Sequence, residues 1–452
     1  MNGYFEAVAD YYLATPPDQL EDTAADQARR CLKDTVGCML AAGDVCRREL
    51  NFIRSLGSGG GCTVAGQDYS LPPAPAAFSN GLLAAALELD DATSIGVSVH
   101  PGCCVIPAAL AASQIHNSSG GELIRAICFG YELCNRLGLL ATEWIRELGL
   151  FGPGVIAAPC AAAVSGLLMG LDREKLRNAF SISLSMSPLC PFSAFTDGAD
   201  SKSFYSAWGV YLGMLSSELA AEGFTGPAHI LDGECSLKSI FSGERGLDVP
   251  PGSGGYSHAV VFKDYSACLS VHAAMTAISN LKERESFSPA QIMDVSIRTY
   301  PYACAISGLV KDLNPISARV SLPFTAAVML TEGVLSPEAF KQESLRRQDY
   351  LSLSEKVHVQ QGNEYGSGAF SKRGCCISVR LNDGRQIQET VDCAKWGVDS
   401  PPSDSDLDEK FLRITAQNIK KERAEALLNM LSTVPELEDL SSLFTLIAKE
   451  AR

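Results

Sequence analysis

Apolar positions recur with helical spacing along most of the chain up to residue 245. Between residues 25 and 42 they fall at Ala28, Cys31, Leu32, Val36, Met39 and Leu40, one stripe of a helix. The same pattern, with Ala and Leu dominant, predicts helices over residues 73–89, 105–115, 123–139 and 203–221, the last stopped by Gly223. Alanine-rich faces let helix axes approach closely, so the expected core is helix on helix rather than sheet. Clusters of Gly, Ser and Pro at 58–61, 117–121 and 252–255 mark the connections. Residues 148–171 carry no charge. Gly149, Gly152, Pro153, Gly154, Pro159 and many alanines nevertheless fit a loop and a tightly packed helix. A membrane span would need about twenty strongly apolar residues.

The pattern changes after Phe262. Residues 295–299 and 356–359 alternate as strands do. Residues 376–381 and 386–391 flank Asn382-Asp383-Gly384-Arg385, a hairpin signature. A Pro, Ser and Asp cluster at 399–408 precedes two further helical stretches, 407–431 and 437–449. The expected fold class is therefore mainly α. A large all-α domain would be formed by both chain ends (1–261 and 396–452), with a smaller α+β domain (262–395) folded over it as a lid.

Composition narrows the function. Thirty-seven Lys and Arg stand against fifty-two Asp and Glu, a net charge of −15. That balance argues against nucleic acid or an anionic membrane as partner, and leaves room for a small anion only where a local cationic pocket overrides the field. Sixteen cysteines, none in a CxxC pair, lie mostly in apolar stretches and read as reduced thiols of an intracellular protein, cytoplasmic or mitochondrial. The N-terminus lacks a signal-peptide pattern. Ser58-Gly59-Gly60-Gly61 has neither the spacing nor the lysine of a phosphate loop. No His or Cys group has metal-ligand spacing, and nothing requires an organic cofactor.

Chemistry concentrates elsewhere. Glu88-Leu89-Asp90-Asp91-Ala92-Thr93 ends an apolar helix in three acids, and Val99-His100-Pro101-Gly102 follows. Carboxylates and a hydroxyl near a histidine can fix its tautomer and tune it as general acid or base. The same residues also fit an exposed helix end and a loop histidine. Lys202 opens a long helix, where a cation opposes the helix dipole unless an anion meets it. Lys263 falls at the expected domain junction, where small-molecule clefts form. Either could equally be a surface lysine.

Five blocks in order resemble the MmgE/PrpD family: Asn80-Gly81 through Glu88-Leu89-Asp90-Asp91, His100-Pro101 and Val105-Ile106-Pro107-Ala108; Gly198-Ala199-Asp200-Ser201-Lys202 with Gly223-Phe224-Thr225-Gly226-Pro227; Phe262-Lys263-Asp264-Tyr265; Ser321-Leu322-Pro323-Phe324; and Ser403-Asp404-Ser405-Asp406-Leu407 with Lys410-Phe411. The resemblance spans nearly the whole chain. It implies a cofactor-independent homodimer with a pocket between an all-α domain and an α+β lid. The implied activity is dehydration, decarboxylation or epimerisation of a polycarboxylic acid, as in 2-methylcitrate dehydratases, cis-aconitate decarboxylases and iminodisuccinate epimerases. It further implies His100 as the active-site histidine that shuttles the proton, Asp90 and Asp91 as its paired acids, with Asp91 and the Thr93 hydroxyl orienting the ring and Asp90 on the substrate side. Lys202 and Lys263 would hold substrate carboxylates. Arg319, Tyr302 and Cys268 are weaker matches to substrate-binding positions. Phe151-Gly152-Pro153-Gly154 departs from the Phe-His-Pro-Thr of many members, so a second histidine is missing. Glu88 stands where the family has Asp. An isomerase or cyclase, or a carboxylate binder without turnover, would use the same pocket.

Overall fold

The computed structural model describes residues 4–448, apart from 232–254, 256, 367–372 and positions 44, 56, 58, 97, 309, 311 and 398. Helices dominate, as the apolar periodicity predicts. The N-terminal half contains α1 (Tyr4–Ala14), α2 (Asp22–Ala41), α3 (Arg47–Ser55), α4 (Pro73–Ala85), α5 (Pro101–His116) and α6 (Gly120–Leu140). It continues with α7 (Thr142–Glu147), α8 (Gly152–Leu168), α9 (Arg173–Ser185), α10 (Ser193–Thr196) and α11 (Tyr205–Ala221). None of the described helices is long and apolar enough to cross a membrane.

Local chemistry sets several helix ends. Ser119 and Glu122 form a reciprocal capping box at the start of α6. Gly152-Pro153, expected as loop, is the first turn of α8, because proline at the start of a helix forfeits no hydrogen bond. Helix α8 lies against α11 with almost no gap. A Cβ on Gly209 would meet Ala157 Cβ at 2.5 Å, and one on Gly213 would meet the Ala158 carbonyl at 2.5 Å. The small-residue faces are thus what allow the central pair to pack.

Two-residue strands β1 (Cys62–Thr63) and β2 (Ser70–Leu71) pair antiparallel in the helical part, as do β3 (Ala92–Thr93) and β4 (Val260–Val261). The smaller unit holds a four-stranded sheet of β5 (Ile292–Thr299), β6 (Val357–Gln361), β7 (Cys375–Leu381) and β8 (Gln386–Val391), ordered β6-β5-β7-β8. β5 and β6 run parallel, and the other neighbours are antiparallel. The expected Asp-Gly turn joins β7 to β8, with Gly384 at φ 89°. Val295, Ile297, Ile377 and Val379 bury one face of this sheet against α12 (His272–Arg284) and α14 (Leu322–Glu332). α13 (Pro301–Ser307) and α15 (Gln348–Ser354) complete the unit.

Two large hydrophobic cores form among the described residues, with a small cluster of Phe151, Cys190, Phe195 and Val320 beside them. One gathers apolar side chains from Phe5 to Phe262 and again from Trp396 to Ile447. The other runs from Tyr265 to Ile387. The C-terminal segment adds α16 (Asp404–Thr415), α17 (Lys421–Ser432) and α18 (Ser441–Ile447). The single helix expected over 407–431 is broken after Thr415. Asn418 in the break donates its amide to the Leu40 and Ala41 carbonyls at the end of α2, a contact a continuous helix could not make.

Candidate active site

The helix expected to reach Leu89 stops four residues early, and the reason is the first feature of the site. The Leu87 carbonyl leaves the helical ladder. It accepts from Ser266 Oγ at 2.6 Å and from Arg319 Nη1 at 2.8 Å. Lys410, reaching in from α16, donates to the Leu89 carbonyl at 2.7 Å and to Asp34 Oδ1 at 2.6 Å. Held from both sides, Glu88 adopts φ 52°, a left-handed conformation costly for a non-glycine residue. The turn brings Glu88 and Asp90 together on Lys263 and sends Asp91 elsewhere.

Asp90 meets Lys263 through a two-residue sheet. β3 (Ala92–Thr93) pairs antiparallel with β4 (Val260–Val261), Ala92 facing Val261. Continuing that register by two residues sets Asp90 opposite Lys263. Lys263 Nζ lies 3.4 Å from Asp90 Oδ1 and 3.2 Å from Glu88 Oε2. The other Glu88 oxygen accepts from Lys202, carried on the 3-10 turn Asp200–Phe204 before α11. Lys202 also lies 4.3 Å from the Phe195 ring centroid. Every member of this cluster is buried, and Lys263 is 0% exposed. Burial alone would raise both carboxyl pKa values. The neighbouring ammonium groups outweigh it and hold Glu88 and Asp90 below the usual carboxylate range. The same acids hold Lys263 above its usual value against desolvation.

His100 is the N-cap residue of α5, with Pro101 as the first helical residue. Its Nδ1 lies 3.0 Å from Asp90 Oδ2, a close electrostatic contact whose angle is not that of a hydrogen bond. The ring is near-parallel to Phe151, 6.5 Å away between centroids.

Asp91 points the other way. Its carboxylate accepts from Gly102 N at 2.8 Å and from Tyr131 Oη at 2.6 Å. It thereby seats its carboxyl group on the start of α5, where a Cβ on Gly102 would lie 2.9 Å from Asp91 Oδ1. Burial pushes its pKa up to about 7, despite those two hydrogen bonds. Thr93 shares its hydroxyl with the Ile95 and Ala259 carbonyls. So the acid beside the imidazole is Asp90, and Asp91 and Thr93 brace the turn rather than orient His100. Arg319 is likewise committed. Besides Leu87, it donates to Ser266 and to the Pro315 carbonyl, and burial lowers its pKa to about 10.

Two adjoining cavities of about 190 Å³ each open over the cluster, sharing Glu88, His100, Phe151 and Phe195 in their walls. Lys202, Asp90 and Arg319 line one. The other runs between the helical body and the smaller unit and is lined by Gly152, Cys268, Tyr300, Tyr302, Arg146 and Arg373 among others. Cys268 accepts from Ser270 Oγ at 3.2 Å. Tyr302 lies under the Arg146 guanidinium, 5.6 Å from its carbon to the ring centroid. Asp91, Thr93 and the fully buried Lys263 are not among the lining residues. Arg146, Arg373 and Tyr300 went unremarked in the sequence. Each lies outside the motif blocks, and only the fold brings them to the cavity. Among the described residues no group of three His, Cys, Asp or Glu side chains is placed to hold a metal.

Full-length relatives supply the reaction class. The chain is 26% identical to a cis-aconitate decarboxylase of Homo sapiens, over 95% of this chain and 91% of that protein. It is 24% identical to a cis-aconitate decarboxylase of Aspergillus terreus, over 95% and 93%. It is 23% identical to a 2-methylcitrate dehydratase of Salmonella typhimurium, over 81% and 80%. Decarboxylases and dehydratases both cleave a bond without hydrolysis or oxidation, and the chain is an enzyme of this lyase class. The MmgE/PrpD N-terminal domain matches residues 6–250 and the MmgE/PrpD C-terminal domain residues 265–434, so the chain belongs to the MmgE/PrpD family.

Proposed function

We propose that the protein is a cofactor-independent lyase acting on an aconitate-like or citrate-like polycarboxylic acid. The observation that carries the reading is His100, facing the cavity with Asp90 against its Nδ1 and the paired ammonium groups of Lys202 and Lys263 behind. Substrate carboxylates next to the reacting carbon would enter against Lys202 and His100. In decarboxylation the bond from carbon to the leaving carboxylate breaks, and CO₂ departs. The electron pair passes into the remaining unsaturated acid, and a proton delivered to carbon closes the step. In dehydration a proton leaves a carbon beside a carboxylate, and the hydroxyl departs with a proton as water. Both develop negative charge on carboxylate oxygens, and both need one mobile proton.

The residues divide that work. His100 carries the proton, a role worth about 10²–10⁴ in rate. Its Nδ1 faces Asp90, which leaves Nε2 as the ring nitrogen for substrate. Lys202 and Lys263 place buried positive charge at and just behind the cavity wall, where fixed charge acts more strongly than in water. Glu88 answers part of that charge, so substrate entry is an exchange of one carboxylate for another at Lys202. Gly152 and Phe151 leave an apolar wall at the position where many members carry a second histidine, which suits a substrate bulkier than cis-aconitate. The reading includes an intracellular homodimer, to be checked as twice the chain mass by light scattering. The primary test is incubation of the purified enzyme with cis-aconitate, 2-methylcitrate and longer alkylcitrates. Mass spectrometry should show loss of CO₂ or water from at least one. No mass change with any of them refutes the proposal.

A further inference from the structure

The lysine pair is internally balanced by Glu88 and Asp90. The cationic side chains of the cavity that meet no carboxylate are elsewhere. Arg146 on α7 and Arg373 just before β7 line the same cavity from opposite units of the fold. Among the described residues neither forms an ion pair. Arg146 Nε is buried without a hydrogen-bond partner. Its guanidinium faces the Tyr302 ring. Arg373 spends one Nη2 hydrogen on the Gly96 carbonyl at 3.3 Å, and Gly96 in turn packs against Thr142 at the start of α7. Burial first, and then the like charge of Arg373, lower the pKa of Arg146. Two like charges brought together in a partly dry cavity, with the phenols of Tyr300 and Tyr302 beside them, form a site that is incomplete without an anion.

Resting on the lyase reading above, we infer that Arg146 and Arg373 clamp a third carboxylate of the substrate, remote from the carbon that reacts at His100. The planar forks of two arginines match the two oxygens of a carboxylate, and phenol hydroxyls can donate to the same oxygens. The wall between is apolar, made by Leu150, Phe151, Phe192 and Ile306. The substrate class is therefore an acid whose third carboxylate is set apart, across an apolar stretch, from the two that enter against Lys202 and His100. Because the arginines belong to different units, the bound anion also ties the smaller unit to the helical body. This makes them specificity residues, and their substitution leaves the proton-transfer groups in place.

The test uses tricarballylate, a saturated tricarboxylate that cannot undergo the reaction, and methylsuccinate, which lacks one of its carboxylates. Calorimetry with the full chain should show tricarballylate bound more tightly than methylsuccinate. Arg146→Gln and Arg373→Gln should each weaken tricarballylate binding by about 10- to 100-fold, the worth of a hydrogen bond to a charged group. They should change methylsuccinate binding little. Arg373→Lys should recover part of the loss, and circular dichroism should confirm that each variant is folded. Unchanged tricarballylate affinity in both variants, equal losses for the two ligands, or no binding to the wild type overturns the clamp. These readouts need no turnover. Catalysis with unaltered binding in the variants would leave the lyase and remove the clamp, and the reverse pattern would do the opposite.

Discussion

Replacing Glu88 with Gln tests the ionic cluster at its keystone. The amide keeps the shape and removes one charge from between two buried ammonium groups. Lys263 Nζ lies 3.2 Å from Glu88 Oε2, so at an effective dielectric of 20 the lost attraction is about 5 kcal/mol. Lys263 keeps Asp90 at 3.4 Å, whereas Lys202 loses its carboxylate partner. Part of the lost attraction is offset by the desolvation that a neutral amide avoids, and breaking a buried pair costs about 3–5 kcal/mol. Glu88→Gln should therefore destabilise the free protein by about 3 kcal/mol. Urea unfolding measures this, followed by circular dichroism and by fluorescence of Trp396 in the helical core and Trp144 packed against it. The variant should also gain more thermal stability than the wild type from added tricarballylate, because a substrate carboxylate now meets an unanswered lysine. A variant within about 0.5 kcal/mol of the wild type would refute the charge balance described for this cluster.

Two further perturbations separate bracing from chemistry. Asp91 carries a folded pKa of about 7 against an ordinary 3.8, so the folded state holds this proton more tightly. Its stabilising contribution is full below pH 3.8 and is lost as pH rises through 7. Asp91→Asn should therefore gain stability relative to the wild type between those limits, read as the difference of two denaturation series across pH. A pH-independent difference contradicts the assignment. Glu88 and Asp90 act in the opposite sense, contributing above the ordinary carboxylate range and losing that contribution as pH falls. Lys410→Met strands the buried Asp34 and releases the Leu89 carbonyl, at an expected cost of about 3–5 kcal/mol in unfolding free energy. Adding Asp34→Asn should recover part of it, and strict additivity of the two changes would show that the residues are not coupled.

Much of the helical body was legible because long amphipathic stretches repeat a single period. The hairpin at 382–385 was legible because Asp-Gly dictates its turn. The early stop of α4 was not, since the cause is tertiary: Ser266 and Arg319, far along the chain, take the Leu87 carbonyl. The pairing of β3 with β4 is two residues long, too short to show alternation, yet its register decides that Asp90 and not Asp91 joins Lys263 and His100. Identical neighbours in sequence thus become a carboxylate held ionised and one pushed towards neutrality. Lys202 and Lys263 could be singled out from their surroundings, but their engagement with Glu88 depends on a left-handed turn that no local pattern announces. Arg146 and Arg373 had no signal beyond charge, because their place on the cavity wall, without an acidic partner among the described residues, is set only in three dimensions.

The central claim is that His100 moves the proton at the reacting carbon, and single-turnover kinetics tests it most directly. With whichever polycarboxylic acid the wild type converts, His100→Ala should lower the chemical step by about 10²–10⁴ while binding of tricarballylate and the folded signal persist. A variant that still turns over within about threefold of the wild-type rate would contradict the assignment, because the general acid–base step would then lie elsewhere.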